Sequence, residues 1–108
     1  MLTTMPLSIN DIRDRTKKTI LDTLSLKINA LKQKKVISRA WVFGSFAKGN
    51  WNALSDLDLI VTTFEKIDDL AIEADHEIDL ILLTENEFNL RYNKNQTFKT
   101  IVDSGILL

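Results

Sequence analysis

Residues 44–58 read GSFAKGNWNALSDLD, and this stretch organises the rest of the chain around it. It closes on Asp56, Leu57 and Asp58, which open the run DLDLIVT over residues 56–62. That run alternates as a strand does, with Asp56, Asp58 and Ile60 on one face and Leu57, Leu59 and Val61 on the other. Two carboxylates so spaced lie about 6–7 Å apart along the chain on the same face. Left unpaired they repel one another, so a divalent cation is their natural neutraliser. At the other end of the stretch, Gly44 and Ser45 follow VISRAWVFG, residues 36–44, whose β-branched and aromatic side chains predict a first strand. Gly44 to Gly49 suits about one turn of helix, where free backbone N–H groups and the Ser45 hydroxyl can face a phosphate. Gly44 keeps a side chain out of that phosphate's way, and Lys48 adds a positive charge. The intervening NWNALS reads as a polar loop.

Upstream, Ile12, Thr16, Ile20, Leu24, Ile28 and Leu31 recur at helical spacing and predict a long amphipathic helix over residues 9–33, capped by Ser8 or Asn10. Downstream, FEKIDDLAIEAD, residues 64–75, can form a helix that turns Ile67, Leu70 and Ala71 or Ala74 inward. EIDLILL, residues 77–83, is a strongly apolar third strand that nevertheless carries Asp79. A carboxylate among buried neighbours is costly unless it is paired or liganded. With the third strand beside the second, Asp79 completes a three-carboxylate cluster with Asp56 and Asp58. Oxygen donors without histidine or cysteine point to Mg²⁺ or Mn²⁺ and away from Zn²⁺. Two short helices, about 85–91 and 95–104, are expected in the tail, with Gly105 as a stop. The fold class is α/β (α+β), either a two-layer α/β or an α+β domain. A small mixed central sheet of about three to five strands packs against helices, and residues 1–108 form a single domain.

Composition narrows the chemistry further. The chain has 108 residues, 44% apolar and 27% charged, which is ordinary for a folded globular protein. It contains no cysteine, so disulfides, thiolate metal sites and cysteine nucleophiles are excluded. A formal charge of -1 argues against a surface built for extended nucleic-acid binding. Lys17, Lys18, Lys27, Lys32, Lys34, Lys35 and Arg39 all lie in the first 40 residues and read as the solvated side of a helix and its turn. No apolar run approaches the roughly 18 residues of a membrane span. No signal-like start is seen either, and a cytoplasmic location is expected. Ser45 is no hydrolase nucleophile, since His76 is the sole histidine and no G-x-S-x-G surrounds the serine. The Gly44 to Gly49 spacing lacks the G-K-S/T ending of a P-loop. His76 reads as a surface residue before a strand. Trp41 and Phe43 are expected to pack under helices, and Trp51 stands open between base stacking, an interface and local packing.

GSFAKG, ten residues between Ser45 and Asp56, and the DLD pair together resemble the signature of the DNA polymerase beta-like nucleotidyltransferase superfamily. Within it, SDLDLIV and EIDLILL are most similar to the minimal nucleotidyltransferases of bacteria and archaea. The resemblance covers residues 36–83 well and the flanking helices in outline. It implies that Gly44 and Ser45 bind a nucleoside triphosphate, that Asp56 and Asp58 ligate two Mg²⁺ ions, and that Asp79 ligates the catalytic ion and helps activate the acceptor hydroxyl. Lys48 stands where these proteins often carry an arginine, which keeps the charge and loses the planar fork. The same resemblance implies ATP as donor and a HEPN-domain toxin as partner, silenced by AMP added to a tyrosine. The chain would then act as an antitoxin. A homo-oligomer is a further expectation, because so small a domain encloses a nucleotide and an acceptor with difficulty. The alternatives are an antitoxin or regulatory subunit that neutralises its partner by binding alone, and a small-molecule nucleotidyltransferase.

Overall fold

A computed structural model describes residues 9–49, 51, 56–74 and 76–108, with side chains from residue 15 onward. Helix α1 runs Ile9–Gln33, as the apolar spacing predicts, while Ser8 lies outside the described residues. Leu24 and Ile28 on its inner face are fully buried, and Ile20, Leu21 and Leu31 pack beside them. The helix ends as the N–H of Val36 reaches the Leu31 carbonyl at 3.0 Å, with Lys35 in the left-handed conformation at φ 59°.

The chain then forms strand β1 (Arg39–Phe43), the single turn α2 (Ser45–Lys48), and strands β2 (Leu57–Thr63) and β3 (Ile78–Thr84). Helices α3 (Glu85–Lys94) and α4 (Gln96–Asp103) follow, then a two-residue strand β4 (Ile106–Leu107). The four strands lie in the order β3-β2-β1-β4. β1 is antiparallel to β2 and β4, whereas β2 and β3 are parallel, so the sheet is mixed, within the expected size. Alternation divides it into two cores. Ala40, Val42, Leu57, Leu59 and Val61 pack toward α1, while Trp41, Ile60 and Leu83 pack toward Phe88 of α3 and Phe98 and Val102 of α4. Helices therefore cover both faces, one layer more than a two-layer arrangement. Central β2 is buried along nearly its whole length.

Two parts differ from the sequence reading. Residues 64–74 form no helix. The side chains they bring to the α1-side core are Leu70 and Ile72, two positions apart, which is extended spacing and not helical spacing. The Asp69 carboxylate accepts the N–H of Leu70 at 2.8 Å, a local bond that competes with a helical one. The periodicity of Ile67, Leu70 and Ala71 thus lost to the packing of Leu70 and Ile72, which lays this connection between β2 and β3 on the core as an extended segment. The second difference is β4, read from sequence only as a tail after a helix stop. A side chain at Gly105 would sit 3.0 Å from the Val42 carbonyl, so glycine lets the chain close onto β1. Lys32 fixes the end by donating to the Leu108 carbonyl at 2.7 Å.

α3 begins with a capping box: the N–H of Glu87 reaches the Thr84 hydroxyl at 3.1 Å, and the Glu87 carboxylate accepts the N–H of Thr84 at 3.2 Å. Beside it, Glu85 ties three elements together. Its carboxylate takes Arg39 Nε at 3.0 Å and Nη2 at 2.6 Å, the Ser38 hydroxyl at 2.5 Å and the Thr62 hydroxyl at 2.8 Å. The Arg39 guanidinium also lies over the rings of Trp41, at 4.9 Å, and Phe88, at 4.6 Å, so the network is anchored on the core. The Arg39 hydrogen bond is the main reason that the Glu85 carboxyl is held down to about 2, with the two hydroxyls adding to it against the opposing effect of burial. Because the folded value lies below the unfolded one, this stabilisation is complete above the ordinary glutamate range and fades as pH falls from about 4.5 toward about 2. Glu85→Gln is expected to cost about 1–3 kcal/mol at neutral pH. Urea melts should show a smaller stability loss between pH 7 and pH 3 in the variant than in the wild type.

Candidate active site

β1 ends where β2 and β3 begin, and the proposed chemical residues gather at that end of the sheet. Phe43 pairs with Asp58, and Asp58 pairs in turn with Asp79 across the parallel ladder. The N–H of Leu57, donated to the Glu77 carbonyl at 2.9 Å, pins the first step of that register. Asp58 and Asp79 therefore stand side by side on neighbouring strands, half-buried and exposed respectively. Asp56 lies exposed immediately before β2. Among the described residues, no three histidine or carboxylate side chains are gathered closely enough to form a ready metal cage. What the fold supplies is a carboxylate pair with a third carboxylate at its margin.

The pair is electrostatically strained. Burial pushes the Asp58 carboxyl above its ordinary range, and the charges of Asp79 and then Asp56 push it the same way, as does a hydrogen bond with Asp79. Among the described residues, no positive charge counters these effects on Asp58. The donor set fits a hard divalent ion such as Mg²⁺, which prefers carboxylate and water oxygen to nitrogen or sulfur.

Gly44 closes the site from the β1 side. Its backbone sits at φ 71°, a conformation that side chains seldom adopt. A β-carbon there would also collide with the Asp58 carboxylate oxygen and stand 3.3 Å from its Cγ. The sequence reading gave this glycine to an approaching phosphate. In the fold, its missing side chain first makes room for Asp58. The start of α2 and the carboxylate pair are thus in direct contact. Ser45 is the first residue of α2 and Lys48 the last, with the Lys48 N–H bonded to the Gly44 carbonyl at 3.0 Å. No described side chain caps the start of this turn.

Trp51 is buried, which removes it from the surface roles left open by the sequence. Its ring meets the edge of Phe46 at 5.2 Å and lies 5.1 Å from His76, while Lys17 of α1 covers Phe46 at 5.0 Å. One aromatic chain thus links α1, α2 and the entry to β3. His76 is half-buried in this aromatic cluster instead of lying free on the surface. The other residues of NWNALS, 50 and 52–55, lie outside the described residues. Four of the basic residues of the first 40 positions are engaged within the fold: Lys17 on Phe46, Lys27 on the Glu73 carbonyl, Lys32 on the Leu108 carbonyl and Arg39 on Glu85.

Residues 27–108 match the family described as polymerase beta, nucleotidyltransferase. This chain belongs to that family. The matched region includes the four described strands and the stretch of chain from Gly44 to Asp79. Its membership makes the chain a nucleotidyltransferase of this superfamily, with the mixed sheet and helices described above. No curated protein and no solved structure matches it. Among the described residues, no helix is long and apolar enough to cross a membrane.

Two substitutions separate the strain of this site from its use. The folded chain holds a proton on Asp58 more tightly than the unfolded chain does, so the charge costs stability at neutral pH, and the cost fades as pH falls from the raised value to below the ordinary aspartate range. Asp58→Asn is therefore expected to raise the melting temperature in EDTA while abolishing transfer, a comparison that thermal melts and an activity assay make directly. Gly44→Ala combines a strained φ with a collision against Asp58 and should cost about 1–3 kcal/mol by urea denaturation.

Proposed function

We propose that this nucleotidyltransferase transfers AMP from ATP to a hydroxyl on a partner protein, and that it acts in this way as the antitoxin to a HEPN-domain toxin, whose tyrosine is the acceptor. The observation that carries the reading is the Asp58–Asp79 pair held in register against Gly44 at the start of α2. A triphosphate bound along α2 would lie next to the carboxylates, so the donor's phosphates and the cation that neutralises them would share one site.

Asp58 and Asp79, with Asp56 at their margin, would hold two magnesium ions, with manganese as a substitute. Bound there, such ions lower the pKa of an attacking hydroxyl and steady the charge of a departing pyrophosphate. The chain's own residues do the positioning. The first-turn N–H groups of α2 and the Ser45 hydroxyl orient phosphate oxygens, and Lys48 offsets their charge at the other end of the turn. Trp51, between α2 and Asp56 in sequence, is itself anchored on the core through Phe46 and His76. Phe46, adjoining Ser45, is fully buried, so the phosphate turn is held without help from a ligand.

A regulator that works by binding alone has no use for like charges brought together at a cost to stability, which favours catalysis over the binding-only alternative. Mass spectrometry of candidate partner proteins incubated with the chain, ATP and Mg²⁺ tests the reading. A gain of one AMP on a partner tyrosine is expected, absent with Asp56→Ala/Asp58→Ala. An unmodified partner that binds the wild type and the double variant equally well would instead establish the binding-only antitoxin. AMP found on a small hydroxyl compound and on no protein would move the acceptor to a small molecule.

A further inference from the structure

Gly44 and Lys48 have a second neighbour besides the carboxylates. A cleft of about 230 Å³ separates them from α4, lined by Phe43, Gly44, Lys48, Thr100, Ile101 and Ser104. Sites that enclose a whole small molecule usually measure about 300–1,000 Å³, so this one takes a single part of a larger ligand. Phe43 and Ile101, both half-buried, give it apolar walls. Its hydroxyls are oriented by the helix. Thr100 donates to the Gln96 carbonyl at 2.9 Å, and Ser104 to the Thr100 carbonyl at 2.8 Å. With their protons committed, both oxygens offer lone pairs and act as acceptors.

A flat ring bearing an amino group matches that lining. Its faces pack on Phe43 and Ile101, and its amino group donates to Thr100 or Ser104. The adjoining Gly44 and Lys48 belong to the proposed phosphate turn, so one nucleotide can reach both places. We infer that the cleft between α2 and α4 is the base subsite of the donor nucleotide and that Thr100 and Ser104 select a base with an exocyclic amino group, adenine over hypoxanthine. The inference rests on the nucleotidyltransferase reading and adds the residues that choose the donor. A carbonyl in place of the amino group sets acceptor against acceptor, unless a hydroxyl gives up its bond to the helix.

Isothermal titration of the full chain with MgATP, MgITP and Mg-tripolyphosphate tests this. The wild type is expected to favour ATP over ITP by about five- to tenfold, the discrimination of one neutral hydrogen bond. Thr100→Val/Ser104→Ala should bring the two nucleotides within about twofold of each other by weakening ATP, while Ile101→Trp, which fills the cleft, weakens both and leaves tripolyphosphate unchanged. Thermal melts establish that each variant is folded, and the threonine and serine pair carries the test if the tryptophan variant is not. An ATP preference that survives the double variant would overturn the inference and leave the function standing, as would equal affinity for ATP and ITP in the wild type. Failure of the wild type to bind any of the three ligands would overturn both.

Discussion

Two carboxylates on adjacent parallel strands, directly in register, are a like-charge contact that the fold must hold against its own repulsion. The means are visible in the strand that carries Asp58. β2 is central, paired on both sides and buried on both faces, so its register cannot slip without turning Leu57, Leu59 and Val61 out of one core and Ile60 out of the other. The hydrophobic contribution of those side chains, about 1.5–3 kcal/mol for each one fully buried, works against the repulsion at the charged end. Stability gained in the middle of the strand is spent at its tip.

The rest of the molecule is arranged around that tip. The network of Glu85, Arg39, Ser38 and Thr62 lies at the opposite end of β1 and β2, where strong ionic hydrogen bonds do not compete with the site. α1 covers one face of the sheet along Leu24 and Ile28, and α3 and α4 cover the other near Trp41 and Ile60. The tight fit of Gly44 on Asp58 and the inclined ring contacts of Trp51 with Phe46 and His76 then couple the α2 turn to the entry of β2 and β3. Each contact is short-range and rigid, which suits a site whose work is positioning more than covalent chemistry.

Much of this was legible along the chain. The strand alternation around Asp58, the one-turn helix between Gly44 and Gly49 and the long α1 all follow from local patterns, and each is where the spacing put it. The connection over residues 64–74 was misread because a helical period and an extended segment share Leu70. Only the packing of Ile72 on the same core distinguishes them. The capping box at Thr84 and Glu87 was written in the sequence as T-x-x-E and marks the start of α3. The four-residue spacing of Thr100 and Ser104 was equally plain, but nothing local gives it meaning until α4 is set against the phosphate turn.

The sequence by itself determined the residue types and the short-range order: which carboxylates lie on which strand face, where the glycines fall, and the family to which the chain belongs. These follow from steric and periodic rules that act within a few residues. The tertiary structure alone decided that Asp79 stands opposite Asp58, that Gly44 is empty because Asp58 fills its side-chain space, that Trp51 is buried and that β4 closes the sheet. Those are contacts between residues distant in the chain, and their geometry is set by how two cores pack on one sheet, a constraint that no local stretch contains.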